Sequence, residues 1–138
     1  QSYIFNKTLS MAFKYEEDLF TPQENDVCYD RTNKLGKFQN EIGQRLTVPL
    51  VGHSYFKKTR FDYYIQKILE QEEVLPSEFL IKDFQEISVE GGFRNSSIQC
   101  DSFQASNDII EFQLSRGSYA TIVIREILKP EDPLSCGF

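Results

Sequence analysis

The stretch Q-L-S-R-G-S-Y-A-T-I-V-I-R-E-I-L-K-P, residues 113–130, decides how this chain is read. Leading into it, Ile110, Phe112 and Leu114 alternate with Glu111 and Gln113, the period-two pattern of a strand with one buried face. Past Gly117 and Ser118 the period changes. Ala120, Val123, Ile124, Ile127 and Leu128 form an apolar stripe at helical spacing, Pro130 stops it, and Ser118 stands where an N-cap would. Gly117 allows a backbone turn that a Cβ would resist. A strand therefore runs into a helix at a sharp corner, with Tyr119 on it. The corner is either a plain packing turn or a device that carries Tyr119 and a helix N-terminus to a site.

Working outward, "ISV", "FRNSSIQCDSF" and "DIIEFQLS" read as strands, separated by turns at "EGG" (90–92) and "ASND" (105–108). The pattern predicts an antiparallel sheet over about 86–138, with the helix of 118–129 packed on one face. The region upstream has a different texture. Residues 3–17 carry Ile4, Phe5, Leu9, Ala12 and Phe13 on one helical face, and Pro22 ends any helix. Glu16, Glu17 and Asp18 read as a solvated helix end. "DVCY" suits a short strand, "KFQNEIGQRL" a short helix, and "VPLVG" a strand or tight loop. Phe61, Tyr64, Ile65, Ile68 and Leu69 follow the amphipathic template, with Thr59 as N-cap. Pro76-Ser77 opens another short helix. The predicted class is α+β: a helical first part over 1–85, then an antiparallel sheet closed by a C-terminal helix over 86–138.

Composition narrows the chemistry. The chain has 138 residues, 40% of them hydrophobic, with twelve Phe, which is enough to build a core. A net charge of −6 argues against a nucleic-acid surface spread over the whole chain and leaves room for a local basic patch. Lys57, Lys58 and Arg60, beside Tyr55 and Phe56, are the densest basic cluster: a solvated helix entrance or an RNA backbone contact. Cys28, Cys100 and Cys136 are widely spaced and the lone histidine is His53, far from the clustered set of about four ligands that zinc needs. Three reduced thiols point to an intracellular, cytoplasmic protein. No apolar run approaches the roughly 20 residues of a membrane span, and no signal peptide is visible. The chain begins at Gln1, inside a helical pattern, as a portion of a longer protein would.

The corner stretch resembles the C-terminal signature of the pseudouridine synthase D family (TruD), F-x-L-P-x-G-S-[YF]-A-T-x-x-[LI]-R-E-[LI]. The matching residues are Phe112, Leu114, Gly117, Ser118, Tyr119, Ala120, Thr121, Ile124, Arg125, Glu126 and Ile127. "QSYIFN", "DVCY", "VPLVG" and "ISVEGGFR" resemble further family segments in the same order, with Ser88, Gly91 and Arg94 in place. The likeness spans nearly the whole chain and is closest to the archaeal and eukaryotic branch. Two departures stand out: Ser115 replaces the usual proline, and the span from Gln23 to Leu46 is short.

The resemblance implies an enzyme that isomerises uridine to pseudouridine in RNA, tRNA in particular, without metal or organic cofactor. It also implies that these residues are the later portion of that enzyme: 1–85 the second part of the family's inserted domain, 86–138 the last strands and helix of the catalytic domain. The family's nucleophilic aspartate lies in an upstream Gly-x-Lys-Asp motif. Lys82-Asp83 follows Leu80-Ile81 and does not match it, so the resemblance places no catalytic residue here and makes the upstream half of the same enzyme a partner. Tyr119, Ser118, Gly117 and Arg94 are the substrate-binding candidates that it implies. Tyr119 is either a pocket aromatic or a corner ring with its hydroxyl bonded; Arg125 is expected to pair with a local carboxylate, and His53 to make a loop hydrogen bond. A non-catalytic RNA-binding or protein-interaction module is the alternative function, and a small α+β protein sharing only the fold is a third.

Overall fold

The structure, a computed structural model, describes residues 1–55, 58–115 and 118–137. The chain divides into two compact units, Gln1–Ser97 and Ile98–Phe138.

In the first unit, α1 (Ser2–Lys14) turns Ile4, Phe5, Thr8 and Ala12 inward, and α2 (Asp62–Gln71) turns in Tyr64, Ile65, Ile68 and Leu69. Both show the i, i+3, i+4 spacing that makes one helical face apolar. They cover a four-stranded sheet of order β2-β1-β3-β4, with β1 at Val27–Tyr29, β2 at Leu35–Lys37, β3 at Arg45–Leu50 and β4 at Gly92–Asn95. All pairings are antiparallel, with Cys28 opposite Gly36 and Leu46, and Val48 opposite Arg94. Leu46, Val48, Val51 and Phe61 complete the core with the helix residues.

In the second unit, β5 (Cys100–Ser106) and β6 (Ile109–Leu114) form an antiparallel hairpin, bulged between Asp101 and Gln104, and α3 (Ala120–Leu128) follows. The α+β class and the antiparallel pairing stand, and the expected strand and helix on either side of the corner are both present. Three expectations change. The first part is not mainly helical, since it holds a sheet of its own. The single sheet expected from residue 86 onward is divided: β4 pairs with β3, while among the described residues β5 and β6 pair only with each other. The short helix expected over 37–46 is a loop between β2 and β3. Asn40 and Gly43 take φ of 56° and 88° there, outside the helical region.

Candidate nucleic-acid interface

Three segments distant in sequence meet in the first unit. The Gln1 side-chain amide donates to the Val51 carbonyl (2.9 Å). The loop after β3 and the loop before β4 are joined backbone to backbone: His53 N–H donates to Val89 O and Ser54 N–H to Glu90 O, both at 2.9 Å. A Cβ on Gly52 would lie 2.3 Å from the Gly91 nitrogen, and Gly91 itself has φ +104°. Glycine is required at both positions, one for proximity and one for conformation. "QSYIFN", "VPLVG" and "ISVEGGFR" are therefore brought together by the fold.

Arg94 lies in this assembly. It is exposed on β4, and its guanidinium carbon sits 5.1 Å from the centroid of the buried Phe5 ring. That is the distance at which a ring face attracts a cation. Among the described residues no carboxylate lies within ion-pairing distance of Arg94. The group is thus oriented and its donors are open to a phosphate. His53 is exposed, with Nδ1 3.1 Å from Ser54 Oγ, the loop contact expected of it.

At the corner of the second unit, Ser118 N–H donates to the Ser115 carbonyl (3.1 Å), and the two hydroxyls are 3.0 Å apart. Ser118 was expected to cap the helix. Tyr119 holds the cap position instead, in an extended conformation (φ −103°, ψ 107°), and the Ser118 hydroxyl faces that of Ser115. A proline at 115 would lack that hydroxyl, so the departure from the family signature supplies its own link. Tyr119 is 73% exposed. Gly117 lies outside the described residues. Arg125 pairs with Glu126 at 3.4 Å, the local carboxylate contact expected.

The basic cluster at 57–60 is described only in part. Phe56 and Lys57 lie outside the described residues, Lys58 is exposed, and Arg60 is turned inward. Its guanidinium donates to Asp26 Oδ1 (3.1 Å), Glu17 Oε2 (3.0 Å) and the Asp18 carbonyl (2.7 Å). The buried Asp26 also accepts the Gln23 N–H at 2.9 Å. The acidic triplet is accordingly no merely solvated end. Glu17 also accepts the Tyr64 hydroxyl (3.0 Å), and burial with that bond pushes the Tyr64 phenol up. The N–H groups of Thr21 and Phe20 hold the Asp18 carboxyl below its usual range. Sequence reasoning missed this knot, and it missed the Phe5 ring beneath Arg94. The only signal was a lone Asp before an apolar strand, which no local pattern pairs with an Arg 34 residues on.

Burial raises the Cys28 thiol to about 11, with Asp26 adding to the shift, so it is protonated at neutral pH. Among the described residues no group of three His, Cys, Asp or Glu side chains could hold a metal ion, and no helix is long and apolar enough to cross a membrane.

The family profile described as tRNA pseudouridine synthase D (TruD) matches residues 1–127, and the chain belongs to that family. It is 32% identical to a tRNA pseudouridine synthase D of Pyrobaculum islandicum and 30% identical to that of Pyrobaculum aerophilum, each match covering all of this chain and 34% of the relative. The crystal structure of a tRNA pseudouridine synthase D from Methanosarcina mazei is similar with a TM-score of 0.72 at 26% identity, over 96% of this chain and 37% of that one. The chain thus spans about a third of the length of these relatives.

Proposed function

We propose that this chain is the C-terminal portion of an enzyme that converts uridine to pseudouridine in tRNA, and that it supplies RNA-binding groups rather than the covalent catalyst. The observation that carries the reading is the family match over residues 1–127 in a chain one third as long as its relatives. Residues 1–85 are read as the second part of the inserted domain, and 86–138 as the last strands and helix of the catalytic domain. The carboxylate that attacks the sugar or base comes from the upstream half of the same enzyme, since Lys82-Asp83 departs from the Gly-x-Lys-Asp pattern.

The reaction breaks the N-glycosidic bond, rotates the uracil and rejoins it through carbon, so the target base must first leave its stack. A flipped base is held by an aromatic face and edge hydrogen bonds. Tyr119, exposed at the start of α3, is the ring assigned to that contact. Ser118, and Gly117 as a residue of the family signature, are the neighbours proposed to bind substrate with it, next to a helix N-terminus that favours phosphate. Arg94, steadied by Phe5, meets the RNA backbone. With tRNA as substrate, the site of action is the cytoplasm.

The second unit supports the same reading. Ile98, Phe103, Ile109, Ile122 and Leu128 are all exposed, and none of its described residues is buried. In the whole enzyme the upstream half covers this apolar surface, which also removes the open hairpin edge.

The test is to incubate unmodified tRNA with the chain alone and with the chain plus the upstream half as a separate polypeptide, and to measure pseudouridine. Product is expected only from the pair; turnover by the chain alone overturns the assignment of the carboxylate. In the complemented enzyme, Tyr119→Ala should slow modification by about tenfold, from the roughly 1–3 kcal/mol of a base–aromatic contact. Tyr119→Phe should be close to wild type. Full activity in Tyr119→Ala would return that residue to packing.

A further inference from the structure

We propose that the outer seam between α1 and α2, at the end formed by Tyr15 and Tyr63, is a second contact surface for unpaired RNA. Bases would stack on the two rings while Lys14 and Lys67 meet the phosphates. The proposal rests on the RNA-modifying reading above and adds a surface that the reading does not use.

The rings are set up for contact. Tyr15 is 59% exposed and Tyr63 is 58% exposed. Both lean on the buried Tyr64, at centroid distances of 5.9 Å (tilted) and 5.6 Å (edge-on). Tyr64 is in turn pinned through its hydroxyl to Glu17. Two exposed rings are thus held from beneath by a third that cannot swing, so little rotamer freedom is lost when a base lands on them. Cations flank them. Lys67 Nζ lies 4.6 Å from the Tyr63 centroid. Lys14 closes the last turn of α1 beside Tyr15. Among the described residues neither Lys14 nor Lys67 has a carboxylate within ion-pairing distance.

The opposite end of the seam is different. There Tyr3 and Lys7 are both spent on Glu72, at 2.9 and 3.0 Å, tying the two helices together. One end is a clasp; the other is open.

The chemistry favours RNA over a protein partner. Lysine is depleted in protein interfaces, whereas aromatic rings interleaved with cations are what single-stranded nucleic acid uses, base on ring and phosphate on ammonium. The chain's net charge of −6 makes diffuse attraction to a polyanion a poor explanation for these two lysines.

The experiment measures the Kd of the purified chain for an unmodified tRNA transcript by fluorescence anisotropy across a salt series. Tyr15→Ala with Tyr63→Ala should raise Kd by about tenfold or more, and Tyr15→Phe with Tyr63→Phe should leave it within about twofold. Lys14→Glu with Lys67→Glu should weaken binding and flatten the plot of log K against log salt by about one to two. If the alanine pair fails to fold, the lysine pair carries the test alone. An affinity and salt slope indifferent to these changes would overturn the proposal, as would a wild-type chain that does not bind the transcript. Pseudouridine formation is a separate readout: a complemented enzyme that turns over with variants of unchanged affinity would sink the seam and keep the enzyme.

Discussion

Both units carry antiparallel strands and an amphipathic helix, yet among the described residues only the first has an interior. In Gln1–Ser97, Ala12, Val48, Phe61, Ile65 and Ile68 are fully buried. In the second unit the same patterning yields no buried described residue. Phe112 and Leu114 are half-buried and α3 contributes none. Periodicity shows which face of an element is apolar, and the cover for that face must come from a third layer. The first unit supplies its own, two helices over a sheet. A lone hairpin and a nine-residue helix are too little.

The comparison can be broken by measurement. Phe61→Ala should cost about 3–5 kcal/mol, enough to unfold or nearly unfold the first unit. Phe112→Ala in the isolated chain should cost below about 1 kcal/mol, since half-exposed rings leave little cavity. Equal drops in melting temperature for the two variants would mean that the second unit has a core of its own. Next in size is Arg60→Met, at about 3 kcal/mol, because the buried Asp26 carboxylate loses its ion partner. Denaturant midpoints for it should fall with an unchanged m-value. Gly52→Ala should cost about 1–3 kcal/mol, as the new Cβ meets backbone that has no side chain to move aside. Hydrogen exchange sharpens the contrast: amides of β3 should be protected and those of β5 and β6 should exchange freely.

The smallest effect is on pH. Bonds from Lys7 and Tyr3 hold Glu72 below its usual value of 4.5, and backbone N–H groups do the same for Asp18. A depressed carboxyl adds stability that is complete above its ordinary value and is lost as pH falls through the depressed one. The first unit should therefore weaken slightly below about pH 4, and Glu72→Gln should remove part of that slope.

What the sequence makes legible follows from range. Strand β6 and helix α3 appear in the 2.0 and 3.6 periods, and α2 in five residues of one stripe, because neighbours alone decide them. The loop at 38–44 is misread as helix because the left-handed turns at Asn40 and Gly43 are visible only in the backbone. The pairing of β4 with β3 is misread because nothing local says which strand is the partner. In the candidate site, the glycine pair, Arg94 and Tyr119 are visible as motif residues. Phe5 under Arg94 and the inward turn of Arg60 come from contacts across 89 and 34 residues, beyond any window.

The position of β4 has a consequence in time. Thr47 pairs with Asn95, nearly fifty residues later in the chain, and β4 covers the edge of the most buried strand. At a synthesis rate of about 5–20 residues per second, β3 waits roughly 2–10 s after its own emergence before its partner exists. Until then the row of donors and acceptors from Thr47 to Leu50 is open to any other nascent strand. The glycine contact that ends the wait, Gly52 against Gly91, sits right beside the last rung of this ladder, Leu50 to Gly92, where it works as a latch on the closing of this sheet.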